Sequence, residues 1–329
     1  MQYEAVSGAY VENLSSTVNN HQLHKSSICD NENIDINEEN ETENNQFTTD
    51  LSSHGMLISQ SFYSKERFKV LLAFIILVFS FFLSTISLIL THNRLPDDKA
   101  PLPDLFLDNI RPVDFLLYIT EIQIIVVVNI CIITIFFHKK RLIVAKRCFL
   151  MLSILYCYRA ITMTITVLPI SSKTYYCSPQ KTSSLLETLK KAFFVFTGLG
   201  LSINGQQKYC GDSIFSGHST ILIFAYLVLD EYLPKKFQFL KKLALLNALA
   251  GMVFLLISHS HYSIDVLLAY YVTTRLFWTY HQNINLLMNN NLHGCKEWWF
   301  GMFKYFEKNT ARAFTNEFEI PWHQQESQI

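Results

Sequence analysis

From Val70 to Leu90 the chain carries no charged side chain, and as a helix rising 1.5 Å per residue this run crosses a bilayer. Comparable runs follow at Phe115–Phe137, broken only by Glu121, and at Cys148–Ile170, which holds Arg159. Three more lie at Ser213–Leu229, Leu243–Ser258 and Tyr262–Tyr280, the last containing Asp265 and Arg275. In lipid, every backbone N–H and C=O must find its partner within the chain, so such runs fold as helices rather than open sheet. The expected fold is an all-α polytopic membrane protein with six transmembrane helices. Ala192–Ile203 is apolar but short and contains Gly198 and Gly200, as expected of an interfacial or re-entrant segment.

Composition agrees: half the residues are hydrophobic, 16% are charged and Phe occurs 26 times. The zero net charge says nothing about nucleic acid, and no basic block or nucleic-acid motif argues for such a partner, so none is expected. The chain opens on a polar stretch, so the first apolar run is expected to act as an uncleaved anchor. Residues 1–60 are rich in Asn, Ser, Thr and Glu, and read as a disordered cytosolic tail. Residues 61–282 then form the transmembrane catalytic domain and 283–329 a C-terminal cytosolic tail. In that tail Trp298, Trp299 and Phe300, among Lys296, Lys304 and Lys308, are expected to lie on the membrane surface beside Cys295, a candidate for palmitoylation.

Orientation follows the basic residues of the short loops. Lys65, Arg67 and Lys69, then Lys139 to Arg141 with Lys146 and Arg147, then Lys235, Lys236, Lys241 and Lys242, all belong to one side, the cytosol. Both termini are then cytosolic, and His218 and His261 lie at the far, lumenal or exoplasmic face. Seven cysteines show neither CxxC pairs nor zinc spacing, so no metal site is expected. Cys177 and Cys210 fall in outer segments, where an oxidising compartment allows them to pair.

Ionisable groups at the mouth of an apolar segment point to use rather than packing. His261 and Asp265 are spaced to share a helical face, so that the carboxylate can fix the tautomer of the ring. Such a pair also arises simply to satisfy two buried groups. In Ser216-Gly217-His218, glycine permits close backbone approach and serine supplies a hydroxyl, at a helix start near Ser213 whose free amides suit an anion. Two histidines, one carboxylate and an anion-binding helix start together point to phosphoryl-group transfer through a phospho-histidine. Asp212 reads as a headgroup contact or a helix cap, Arg159 as a phosphate contact or an ion pair. Glu121 is a comparable buried charge, Glu187 a loop carboxylate, His259 a bystander, and Asp104 a residue closing the first outer loop.

Cys210-Gly211-Asp212 with Ser216-Gly217-His218, followed by His261-Tyr262-Ser263-Ile264-Asp265-Val266, resembles the sphingomyelin synthase family. This family comprises sphingomyelin and ceramide phosphoethanolamine synthases and is related to the type 2 phosphatidic acid phosphatases. Pro101-Leu102-Pro103-Asp104, Tyr158-Arg159-Ala160-Ile161-Thr162 and the segments Ala269-Tyr270-Tyr271 and Thr274 to Trp278 extend the resemblance over roughly residues 70–282. It implies a six-span, lipid-phosphatase-like core. In that core His261 attacks the phosphorus of phosphatidylcholine or phosphatidylethanolamine, Asp265 orients it, and His218 protonates the departing diacylglycerol and then deprotonates ceramide. Neither metal nor ATP is implied. Golgi, plasma membrane and endoplasmic reticulum all fit, as does a homodimer.

Ser213, where many members have an aromatic residue, and Ser219, in place of a common threonine, depart from the pattern. Leu255 stands where phosphatase relatives carry an arginine, which counts against phosphomonoester hydrolysis. A lipid phosphatase or phospholipase C-like hydrolase, and a non-catalytic ceramide-binding protein, remain the alternatives.

Overall fold

The computed structural model describes residues 36–95, 101–171, 184–201, 214–288, 298–308 and 316–319. Cys177, Cys210, Asp212, Ser213 and Cys295 lie outside these residues. The chain divides into two units, Met1–Phe62 and Tyr63–Ile329. In the first, the described backbone from residue 36 is helical, where composition leads one to expect disorder. The stretch has no proline, and Glu38, Glu39, Glu41 and Glu43 are good helix formers.

The helices are α1 (Ile36–Arg94), α2 (Phe115–Phe137), α3 (Arg141–Ile165), α4 (Leu185–Thr197), α5 (Gly217–Tyr232), α6 (Gln238–Ile257), α7 (Ser263–Met288) and α8 (Phe300–Glu307). No strand occurs among the described residues, and the single ladder contact is an isolated bridge between His138 and Phe318. Among the described residues, four segments are long and apolar enough to cross a membrane: Ser64–Arg94, Phe115–Phe137, Arg141–Ile165 and Lys235–Ile257. Their exposed side chains are large hydrophobes, among them Phe79, Ile122, Ile132 and Leu246, as a lipid-facing surface requires.

α5 and α7 differ from these four. α5 has 16 residues, and Leu222 to Ala225 with Leu227 to Leu229 are all buried. A helix apolar all round belongs inside a bundle. Accordingly α5 packs on α2, α6 and α7. The approach of α6 is close enough that a Cβ on Gly251 would stand 2.5 Å from Leu222 Cδ1, so a larger residue there would force the Leu222 side chain to shift. α7 has 26 residues and buries Asp265, Ala269, Thr273, Phe277 and Tyr280 along one stripe. α4, at 13 residues, is too short to span. It ends in a left-handed turn at Leu199 (φ 54°) and Gly200 (φ 71°), as helices commonly do.

The C-terminal region departs from the expected surface tail. The boundary drawn at 282 falls inside α7, and Trp299, Phe303 and Phe306 are buried in the same core as α3, α5 and α7. Three aromatic rings one turn apart have more area to bury against helices than against headgroups. Trp298 and Tyr305 keep exposed rings, the Trp298 indole N–H donating to Tyr158 Oη at 3.1 Å. Beside α8, Lys146 Nζ meets Glu66 Oε2 at 3.0 Å, and Arg147 Nη2 meets Glu307 Oε2 at 2.9 Å. The Tyr280 hydroxyl donates to Glu307 Oε1 at 3.1 Å, and Lys146 also donates to the Phe306 carbonyl at 2.8 Å. Charges drawn so far from water persist only as pairs with further hydrogen bonds. The backbone of residues 317–319 pairs with residues 137–139, closing this end of the bundle.

Candidate active site

The site lies at the other end, where α5 begins and the α6–α7 corner turns. Ser216 caps α5, its Oγ accepting the Ser219 N–H at 3.3 Å, and the helix opens at Gly217 rather than near Ser213. Ser216 was expected beside substrate; its buried hydroxyl instead holds the helix end. The backbone before it is fixed from α3, where the Thr162 hydroxyl donates to the Ile214 carbonyl at 2.8 Å and the Arg159 guanidinium to that of Phe215. Arg159 also lies flat on Gly217, where a Cβ would stand 3.1 Å from its Cζ. Gly217 is therefore small to admit Arg159, and His218 follows one residue later.

His218 Nε2 lies 3.6 Å from Glu121 Oε1, a carboxylate fully buried on α2. The imidazole and guanidinium, with Ser84, Thr85 and Tyr156, line a cavity of about 90 Å³. Leu88 of α1, with Val195 and Leu199 to Leu201 from α4 and its turn, supply apolar wall. That volume is well below the roughly 300–1,000 Å³ of ordinary ligand pockets.

His261 sits across from His218, with ring centroids 6.1 Å apart. The spacing of His261 and Asp265 suggests one helical face, but α7 begins at Ser263 and His261 lies in the corner before it. Asp265, in the first turn, reaches back so that its Oδ2 accepts the Tyr262 N–H at 3.1 Å, half of a capping box. It thus fixes the backbone that follows His261. Backbone joins the two halves as well, since the Ser216 N–H points to the Asp265 carbonyl at 3.4 Å.

The corner is held from outside by residues that sequence spacing alone does not tie to it. His259, taken as a bystander, adopts φ 52°, and its Nε2 lies 3.0 Å from the Ile110 carbonyl. The Ser171 hydroxyl donates to the His259 carbonyl at 2.7 Å. Tyr262 Oη accepts the Leu102 N–H at 3.1 Å and donates to the Pro169 carbonyl at 3.1 Å. Asp104 Oδ2 accepts the Ser263 N–H at 2.9 Å, and its Oδ1 accepts the Ser263 hydroxyl at 2.8 Å. Burial pushes the Asp104 carboxyl up, but donors from Ser263, Phe106 and Leu107 outweigh it and hold its pKa below the ordinary value. Glu187 stays apart in α4, 3.7 Å from Lys191.

A histidine pair at the start of a buried helix, walled by apolar helices of membrane length, agrees with a lipid-phosphatase type of core. The PAP2 superfamily C-terminal domain matches residues 209–282, which hold both histidines and Asp265. The chain is 36% identical over 270 residues to phosphatidylcholine:ceramide cholinephosphotransferase 2 of Macaca fascicularis, covering 80% of this chain and 74% of that protein. To cholinephosphotransferase 1 of Gallus gallus it is 35% identical over 267 residues (79% and 64%), and to that of Homo sapiens 33% over 271 residues (80% and 66%). It belongs to the phosphatidylcholine:ceramide cholinephosphotransferase, or sphingomyelin synthase, family. The chain spans just under two thirds of the length of the chicken and human relatives.

Proposed function

We propose that this protein transfers the phosphocholine headgroup of phosphatidylcholine to ceramide, giving sphingomyelin and diacylglycerol. The observation that carries the reading is the His218–His261 pair, 6.1 Å from ring to ring beside an apolar-walled cavity, in a chain related to cholinephosphotransferases. His261 attacks phosphorus and forms an N–P bond as the P–O bond to diacylglycerol breaks. His218 gives the leaving oxygen its proton, then takes one from the ceramide primary hydroxyl. That oxygen attacks phosphorus, the N–P bond breaks, and both histidines return to their starting state. The Glu121 carboxylate stabilises the positive charge that His218 carries before it gives up its proton and regains when it takes one from ceramide. Asp265 orients His261 through the Tyr262 backbone, Arg159 meets the phosphate oxygens, and a headgroup contact is assigned to Asp212 from its place in the sequence motif alone. Phosphoethanolamine transfer from phosphatidylethanolamine uses the same chemistry and differs only in the pocket around the amine.

In this reading α5 and α7 cross the membrane with the four longer apolar segments, giving six spans. α5 meets protein rather than lipid, and α7 buries Asp265 while Arg275 stays exposed over the Tyr271 ring. The basic loops face the cytosol and the site faces the lumen or exterior, in the Golgi, plasma membrane or endoplasmic reticulum. Membranes containing the expressed protein, given labelled ceramide and mixed phospholipids, test this directly. Labelled sphingomyelin is the expected product and ceramide phosphoethanolamine identifies the other headgroup. Phosphocholine or phosphate release without ceramide assigns a hydrolase, and ceramide retention without product assigns a binding protein.

A further inference from the structure

The residue before α7 is Tyr262, whose side chain has no oxygen near the first turn, so the helix that carries Asp265 lacks a cap of its own at that place. The cap comes from the first outer loop. Both carboxylate oxygens of Asp104 are spent on donors: Oδ2 on the Ser263 N–H, Oδ1 on the Ser263 hydroxyl and the Phe106 N–H at 2.9 Å. The same loop holds Tyr262 through the Leu102 N–H and binds the end of α6 through Val113 N–H to the Ile257 carbonyl at 3.1 Å. His261 therefore stands between one segment fastened by Ile110 and Ser171 and another fastened by Asp104 and Asp265.

We infer that Asp104 is a positioning residue of the transfer reaction: a cap supplied in trans that sets the backbone after His261 and so aims its ring. The inference rests on the transfer reading above. A carboxylate is required because every partner of Asp104 is a donor; an amide at this place turns its NH₂ toward an N–H or O–H. Asp104 thus differs from a loop residue that only closes its own turn.

The experiment compares the full chain with Asp104→Asn, Ser263→Ala and the double variant, each in lipid nanodiscs. Ceramide phosphotransfer and amide hydrogen exchange are followed in all four. For Asp104→Asn, kcat falls about tenfold or more, as loss of hydrogen bonds to a charged group predicts, while the KM for ceramide changes less than about twofold. Exchange in the peptide spanning residues 261–266 speeds up, and that in α2 and α5 does not. Ser263→Ala shows the same pattern more weakly, and adding it to Asp104→Asn costs less than its separate effect. Wild-type kcat in Asp104→Asn, unchanged corner exchange, or a uniform rise in exchange along the chain overturns the inference. If the wild type does not transfer at all, the functional reading fails while the exchange comparison still decides whether Asp104 holds the corner.

Discussion

At the scale of single residues, the proposed reaction divides the labour between His218 and His261; Glu121 lies 3.6 Å from the first, and Asp265 holds the Tyr262 backbone beside the second. His261→Ala removes the proposed nucleophile, and transfer is expected to vanish while the protein still reaches the membrane; retained activity excludes His261 as nucleophile. Glu121→Gln keeps shape and removes charge, so kcat should fall about 10²- to 10⁴-fold with the ceramide KM little changed. Steady-state kinetics of the variant check it. Gly217→Ala sets a methyl 3.1 Å from the Arg159 guanidinium, already committed to the Phe215 carbonyl. About 1–3 kcal/mol of stability should be lost, seen as a lower Tm in detergent.

At the scale of elements, much of the helical framework was legible, because length and the absence of charge are local properties of a run. Both histidines and Asp265 were legible too, as ionisable groups at the edges of apolar stretches. Glu121 was visible as a buried charge but not as a partner of His218, since nothing in the spacing of 121 and 218 signals a contact between α2 and α5. The shared helical face of His261 and Asp265 failed for a local reason: a residue that turns a corner cannot also be the first turn of a helix. Asp104 was unreadable in the same way, its role being a cap given to a helix far along the chain. α8 was misjudged because eight residues carry too little periodicity to tell a surface helix from a docked one.

That short helix supports a prediction of its own. Burial pushes the Glu307 carboxyl up, while Arg147 and Lys146 pull it down more strongly, leaving its pKa below the ordinary value. A carboxyl depressed by folding adds stability that is fully present above its unfolded pKa of about 4.3 and is lost as pH falls through the lower folded value. Wild-type Tm should therefore drop on acidification through that window. Glu307→Gln, which leaves buried cations uncompensated, should cost about 3–5 kcal/mol already at neutral pH and show a weaker acid dependence. A thermal melt series in detergent from neutral to acid pH measures both.

For the whole molecule, the ion network and the histidine site occupy opposite ends of one bundle, and the basic loops cluster at the first of these. A protease site inserted in the 171–212 segment should resist digestion in sealed vesicles that expose the cytosolic face, and yield once detergent opens them. Cleavage in intact vesicles reverses the orientation. Six spans and four give the same answer at residues 95–100, 171–212 and 289–297, so a tag in the turn at residues 233–235, cytosolic for six spans and on the far side for four, completes the map.

The salt bridge between Arg147 and Glu307 joins residues 160 positions apart. Synthesis at about 5–20 residues per second separates the two by roughly 8–32 s. During that interval α3 has left the ribosome with a guanidinium destined for burial, and its carboxylate has not yet been made. The nascent bundle must therefore keep that end hydrated, or shielded by an insertion factor, until α8 arrives. A premature stop before Glu307 leaves this guanidinium without the carboxylate it pairs with, at the end of the bundle away from the histidine pair.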